Sequence, residues 1–85
     1  MTRTFEVAVF GPQAEAAGVD RLTVAVPGDG PVTAGDVFDV IGRSYPALAG
    51  SLKVSRLARD HRFVEPGASV SEGDELALIG LVGGG

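Results

Sequence analysis

The stretch GDELALIGLVGGG, residues 73–85, decides how the rest of the chain is read. A turn signal, Glu72-Gly73-Asp74, leads into an apolar run from Leu76 to Val82, and Gly83, Gly84 and Gly85 follow. A strand from Glu75 to about Leu81 would carry Leu76, Leu78 and Gly80 on one face and Ala77, Ile79 and Leu81 on the other. Strands that are apolar on both faces belong in the middle of a sheet. Consecutive glycines lose the most backbone freedom on ordering and offer no side chain to pack. The expected organisation is therefore a domain over residues 1–81 with a flexible glycine tail over 82–85. Two readings of the tail are open at this point. It is a frayed terminus or an expression scar, or it is a side-chain-free arm that carries the Gly85 carboxylate down a narrow channel in a partner.

The preceding chain supplies the layers around that strand. Phe5, Val7 and Val9 alternate with smaller or polar residues, which predicts a strand, and Gly11-Pro12 closes it. Pro12 suits a first helical turn, and QAEAAG, residues 13–18, reads as a short helix with Gly18 as its C-cap. Leu22, Val24 and Val26 alternate in a second strand, closed by the turn residues 27–31, so an antiparallel pair is expected. Thr33-Ala-Gly-Asp36 has the form of a capping box with aspartate in place of glutamate. Behind it Val37, Phe38, Ile41 and Tyr45 recur at helical spacing, which predicts one main helix over residues 34–45, ended by Pro46. Leu48 and Leu52 are expected to anchor the following loop or short helical turn. Val54 to Ala58 reads as a strand, paired through the turn Arg59-Asp60-His61-Arg62 with Phe63-Val64, and Val70 as a lone anchor. The sum is an α+β fold, a mixed sheet with one main helix packed on one face.

Length and composition narrow the function. A chain of 85 residues with 45% hydrophobic content makes a single small domain. Seven basic against eleven acidic residues, a net charge of −4, leave no footprint for a phosphate backbone, so no nucleic acid is expected as partner. The absence of cysteine removes disulfides, thiolate chemistry and cysteine metal sites. No apolar run approaches the ~20 residues of a membrane span, and the N-terminus has no signal-peptide core. The expectation is a soluble cytoplasmic protein with no membrane contact.

Internal chemistry is sparse. His61 is the single histidine and lies in a charged turn between Asp60 and Arg62, without a second metal ligand nearby in sequence. Asp36 and Asp39, and Glu72, Asp74 and Glu75, match no calcium-loop spacing and read as solvated or partner-facing acids. Gly28, Gly30 and Gly35 do not form a dinucleotide-binding order. No nucleophile, base and oxyanion set is visible, so the protein is expected to act as a substrate or carrier for another enzyme. The tail is then its one reactive group. A carboxylate resists attack until it is activated, and adenylation gives it a leaving group.

Several segments resemble the small subunit of molybdopterin synthase, a sulfur-carrier family among the ubiquitin-like β-grasp proteins. FEVAVFG (5–11) resembles the first strand, and VTAGDVFDVI (32–41) the start of the main helix. SEGDELALI (71–79) is similar to the lead-in to the last strand, and Val82-Gly83-Gly84-Gly85 to the family's ending. The resemblance implies a β-grasp fold. It implies that the Gly85 carboxylate, with Gly84 behind it, is adenylated by an E1-like enzyme using ATP and converted to a thiocarboxylate. The tail would then enter the large synthase subunit, in a heterotetramer, and give its sulfur to cyclic pyranopterin monophosphate in molybdenum cofactor biosynthesis. Catalytic residues would belong to that large subunit, and no cofactor would be stably bound. Phe10, Leu81, Val82 and Gly83 are the expected partner interface. Gly80-Leu81 stands where the family often has two prolines, and Gly83 where it often has serine, threonine or alanine. Carriers for thiamine, tRNA thiolation or cysteine synthesis share the tail, and a ubiquitin-like interaction module with an inert tail is the reading from another class.

Overall fold

The computed structural model describes residues 1–80. The elements run β1 (Thr2–Ala8), α1 (Gly11–Ala17), β2 (Arg21–Pro27), β3 (Val32–Thr33), α2 (Ala34–Ser44), β4 (Ser55–Arg59), β5 (Arg62–Phe63), β6 (Ser69–Val70) and β7 (Leu76–Gly80). Two 3-10 turns, Pro46–Leu48 and Ser51–Val54, link α2 to β4. The main sheet has the order β2-β1-β7-β4-β5, and β3 pairs with β6 in a separate ribbon. In the main sheet β1 and β7 run parallel, with Val7 opposite Leu76 and Ala8 opposite Ala77. The other neighbours are antiparallel.

The core lies between one face of this sheet and α2. From the sheet it takes Phe5, Val7, Leu22, Val24, Leu57, Leu76 and Leu78, and from α2 it takes Ala34, Val37 and Ile41. Phe38, Val40 and Tyr45 pack against it while partly exposed. The helix begins where the sequence signals it: the Thr33 side chain accepts from the Asp36 amide at 3.2 Å, and the Asp36 carboxylate accepts from the Thr33 amide at 3.0 Å. Thr33→Ala removes one half of this box and should lower stability by about 1 kcal/mol, measured by urea unfolding. Asp36→Asn should cost less, because its amide oxygen can still accept.

Several expectations need correction: α2 ends at Ser44, and the hairpin turn is Asp60-His61 alone, with Arg62 and Phe63 in β5. Val54 is not in a strand: it closes the second 3-10 turn and is 55% exposed, and β4 starts one residue later, at Ser55. Val70 is not a lone anchor, since it pairs with Val32 across the small ribbon, and both are buried. The last strand starts at Leu76, one residue later than expected, because the Glu75 amide and carbonyl are taken by Asp60 in the neighbouring hairpin turn. Leu81 lies outside the described residues.

Candidate functional site at the end of the central strand

β7 is the third of five strands, as its two-sided apolar pattern requires. Its core-facing residues Leu76 and Leu78 are buried, while Ala77 and Ile79 face the side of the sheet without a helix and are half-buried. Ala8, Ala77 and Ala58 lie side by side across β1, β7 and β4, and Phe63 stands opposite Ala58 on β5. Small side chains in the middle and aromatic ones at the margins produce a groove of about 830 Å³, with Phe10 and Ile79 at one end. Phe63 is 49% exposed, and the Arg56 guanidinium sits 4.9 Å from its ring centroid. Arg56 also reaches Glu65 at 3.6 Å.

A second groove of about 370 Å³ opens where β7 reaches Gly80. Phe10, Pro12, Val54 and Ile79 provide its apolar walls. Phe10 is 58% exposed, on the outer face with Glu6 and Ala8, because the alternation that turns Phe5, Val7 and Val9 to the core turns it outward. It is the N-cap of α1. The chain turns through Gly11, at φ +53, and α1 ends at Gly18, at φ +76, both conformations that favour glycine. Behind this groove lies Gln13, the one buried polar side chain among the described residues. Its Nε2 donates to Ser51 Oγ at 3.1 Å and to Ser55 Oγ at 2.8 Å.

The other polar candidates, including His61, Asp74 and Glu75 on the wall of the larger groove, are held in ion pairs and backbone hydrogen bonds. His61 Nε2 pairs with Glu75 Oε2 at 3.1 Å on the surface, in a turn where both Asp60 and His61 have positive φ. Asp36 caps α2, Glu72 accepts from the Thr4 amide at 3.0 Å, and Asp74 accepts from the Ser71 amide at 2.8 Å. Carboxylates that each hold a backbone N–H are turn and strand-end devices. Among the described residues no group of three acidic, histidine or cysteine side chains converges on a metal position. Gly28 follows β2 and Gly35 opens α2, their amides donating to the Met1 and Pro66 carbonyls. No described helix is long and apolar enough to cross a membrane.

Of the residues expected to form the site, Phe10 is exposed beside Ile79 and Gly80. Leu81, Val82, Gly83, Gly84 and Gly85 lie outside the described residues. The sequence reading missed Gln13. Its only signal was two serines far along the chain, at separations of 38 and 42 residues.

Known structures share this arrangement. SAMP1, the small archaeal modifier protein 1 of Haloferax volcanii, is 32% identical, with 96% of this chain and 99% of that chain covered at a TM-score of 0.77. A Pyrococcus furiosus protein described as molybdopterin converting factor, subunit 1, is 16% identical over 94% of this chain and 99% of that chain, at a TM-score of 0.79. SAMP1 from Methanosarcina acetivorans is 18% identical over 100% of this chain and 99% of that one, at a TM-score of 0.79. The last two speak to the fold alone. No curated protein sequence matches the chain. The fold is a ubiquitin-like β-grasp, with a mixed sheet and helices on one face. A model of the ThiS family matches residues 7–85. The chain belongs to that family, within the ubiquitin-like sulfur-carrier superfamily.

Proposed function

We propose that the protein is a sulfur carrier or modifier of ubiquitin-like type, whose working group is the carboxylate of Gly85. An E1-like enzyme joins that carboxylate to the adenylyl group of ATP, and pyrophosphate leaves. A nucleophile then displaces AMP from the acyl-adenylate. Sulfide as the nucleophile gives a thiocarboxylate and AMP, and a lysine amine of another protein gives an isopeptide bond and AMP. The observation that carries the reading is the position of the glycine run: it follows within three residues of Gly80, the last described residue of the central strand. A strand held on both sides gives such an arm a fixed origin, and side-chain-free residues meet the steric demand of a narrow active site. The ThiS family match, which extends to residue 85, supports the same reading.

Transfer as a modifier or as a carrier outside molybdopterin synthesis is the favoured destination, since the 32%-identical relative carries the name of a modifier protein. The second reading, the small subunit of molybdopterin synthase, rests on SEGDELALI and the Val82–Gly85 ending. There the sulfur would pass to cyclic pyranopterin monophosphate inside a large subunit. In either case Phe10 and the chain residues Leu81, Val82 and Gly83 would form the partner interface.

The test is incubation with ATP, the cognate E1-like enzyme and a sulfide source, followed by intact mass measurement. The expected product has one terminal oxygen replaced by sulfur. In the presence of cellular protein, adducts joined through Gly85 to lysine identify the modifier branch. An unchanged mass with an activating enzyme that adenylates another carrier would refute the reading.

A further inference from the structure

We propose that Lys53 is the acceptor amine at which copies of this protein are joined to one another, the Gly85 carbonyl of one copy forming an isopeptide bond with the Lys53 Nζ of the next. The inference rests on the carrier reading above and deepens its modifier branch, because it names a substrate lysine within the chain itself.

The sequence holds six arginines and a single lysine. The two cations differ in chemistry. A guanidinium keeps its charge and makes forked hydrogen bonds, whereas an amine that has given up a proton is a nucleophile. Arginines carry the structural contacts: Arg3 donates to the Asp29 and Gly30 carbonyls, Arg43 to the Asp39 carbonyl and Arg59 to the Ser69 carbonyl. Arg56 meets Glu65 and the Phe63 ring. Lys53 is exposed, and its amine makes no hydrogen bond or ion pair among the described residues. Nothing in the packing of the fold calls for a lysine at this position.

The backbone beneath Lys53 is fixed. The residue lies in the 3-10 turn Ser51–Val54, where Leu52 packs against the core. Ser51 Oγ donates to the Leu48 carbonyl at 2.9 Å and Ser55 Oγ to the Ser51 carbonyl at 2.7 Å, while Gln13 Nε2 donates to both hydroxyls. The amine therefore stands on a flexible four-carbon stem above a pinned turn, open to a bulky activated acyl group. Ser51 and Val54 of the same turn line the groove at the end of β7. The other amine of the chain is engaged: the Met1 amino group pairs with Asp29 at 3.1 Å, and the Met1 carbonyl accepts from the Gly28 amide at 2.7 Å. In the joining step Lys53 Nζ, having lost a proton to water, attacks the Gly85 carbonyl carbon of the acyl-adenylate. The C–N bond forms, the bond to the adenylyl oxygen breaks, and AMP leaves with the electron pair. One carboxyl donor and one lysine per copy give an unbranched chain with a single kind of linkage.

The test incubates the full chain with ATP, the cognate E1-like enzyme and extract of the source cells, without added sulfide. Covalent dimers and longer species are expected, with one water lost in intact mass for each copy joined. Trypsin should leave residues 44–56 uncut at Lys53 and carrying residues 63–85 as the branch, since no arginine or lysine follows Arg62. Lys53→Arg should lose these species to below detection, while its ATP–pyrophosphate exchange stays at the wild-type rate. Species that persist in Lys53→Arg, or a branch on Met1, overturn the proposal. So does a wild-type protein that is adenylated and never joined to a second copy. A monomer lighter by one water means that the carboxylate of the same molecule is the donor, which overturns the joining of copies. A wild-type protein that is not adenylated refutes the carrier reading itself, and this proposal falls with it.

Discussion

Removal of Gly84 and Gly85 should abolish the proposed activation by an E1-like enzyme and leave the fold intact. This is the largest functional effect expected of any change in the chain. The shortened protein still ends in a glycine carboxylate, so the intrinsic chemistry of the group is preserved. What it loses is reach: two extended residues span about 7 Å. A misplacement of ~1 Å at a reacting centre can already cost about a hundredfold in rate. Product should therefore fall below detection in pyrophosphate exchange and in intact mass. The two glycines have no side chains, so they bury essentially no apolar surface. The circular dichroism spectrum and the thermal midpoint should stay within about 2 °C of the parent, since one kcal/mol moves the midpoint of a domain this size by about 4–8 °C. Retained activation would refute the role of Gly85, and loss of the native spectrum would make the segment structural.

Leu78→Ala should have the largest effect on stability. Leu78 is fully buried in the central strand and sits directly opposite Leu57, which is also fully buried. Truncation removes transfer free energy and leaves a cavity that two neighbouring strands cannot collapse into, at a cost of about 2–5 kcal/mol. A domain of this length has roughly 4–13 kcal/mol in total, so a large share of its stability goes. The thermal midpoint should drop by more than about 10 °C. The adjacent Ile79→Ala is the control. Its side chain faces the open groove and is only partly buried, so less than about 1.5 kcal/mol is expected. Equal effects at the two positions would mean that both faces of the sheet are covered in solution.

Much of this architecture could be read from particular residues. Thr33 and Asp36 marked the start of α2, and Gly18 the end of α1, because a cap is a local event with its own residue chemistry. The alternation at Phe5, Val7 and Val9 gave the core face of β1, since period two converts directly into facing. The central place of β7 was legible for a reason that needs amending. Its outer residues, Ala77 and Ile79, are apolar beneath an open groove, not beneath a second layer. The parts that could not be read depend on pairings between distant short segments. Val32 and Val70 look like isolated apolar residues until the chain brings them opposite each other. Val54 has the composition of a strand residue, but the 3-10 turn around Ser51 ends on it. Gln13 is the clearest case: a polar residue in an alanine-rich turn reads as surface, and its burial depends on two serines from another part of the chain.

The parallel pairing of β1 with β7 has a consequence for how the molecule comes into being. The middle of the sheet joins residue 7 to residue 76, so its central seam closes only when the two most distant strands of the sequence meet. Contacts of such separation carry a high loop-closure cost and slow the search for the native state. During synthesis β1, β2 and α2 can form early, but Val7 and Ala8 keep one edge unpaired until β7 has been made. A nascent chain stalled before residue 76 therefore exposes an apolar strand edge to its neighbours, a known hazard for aggregation. β7 is thus the last strand of the sheet to be synthesised, and the middle of the sheet is complete only when it docks.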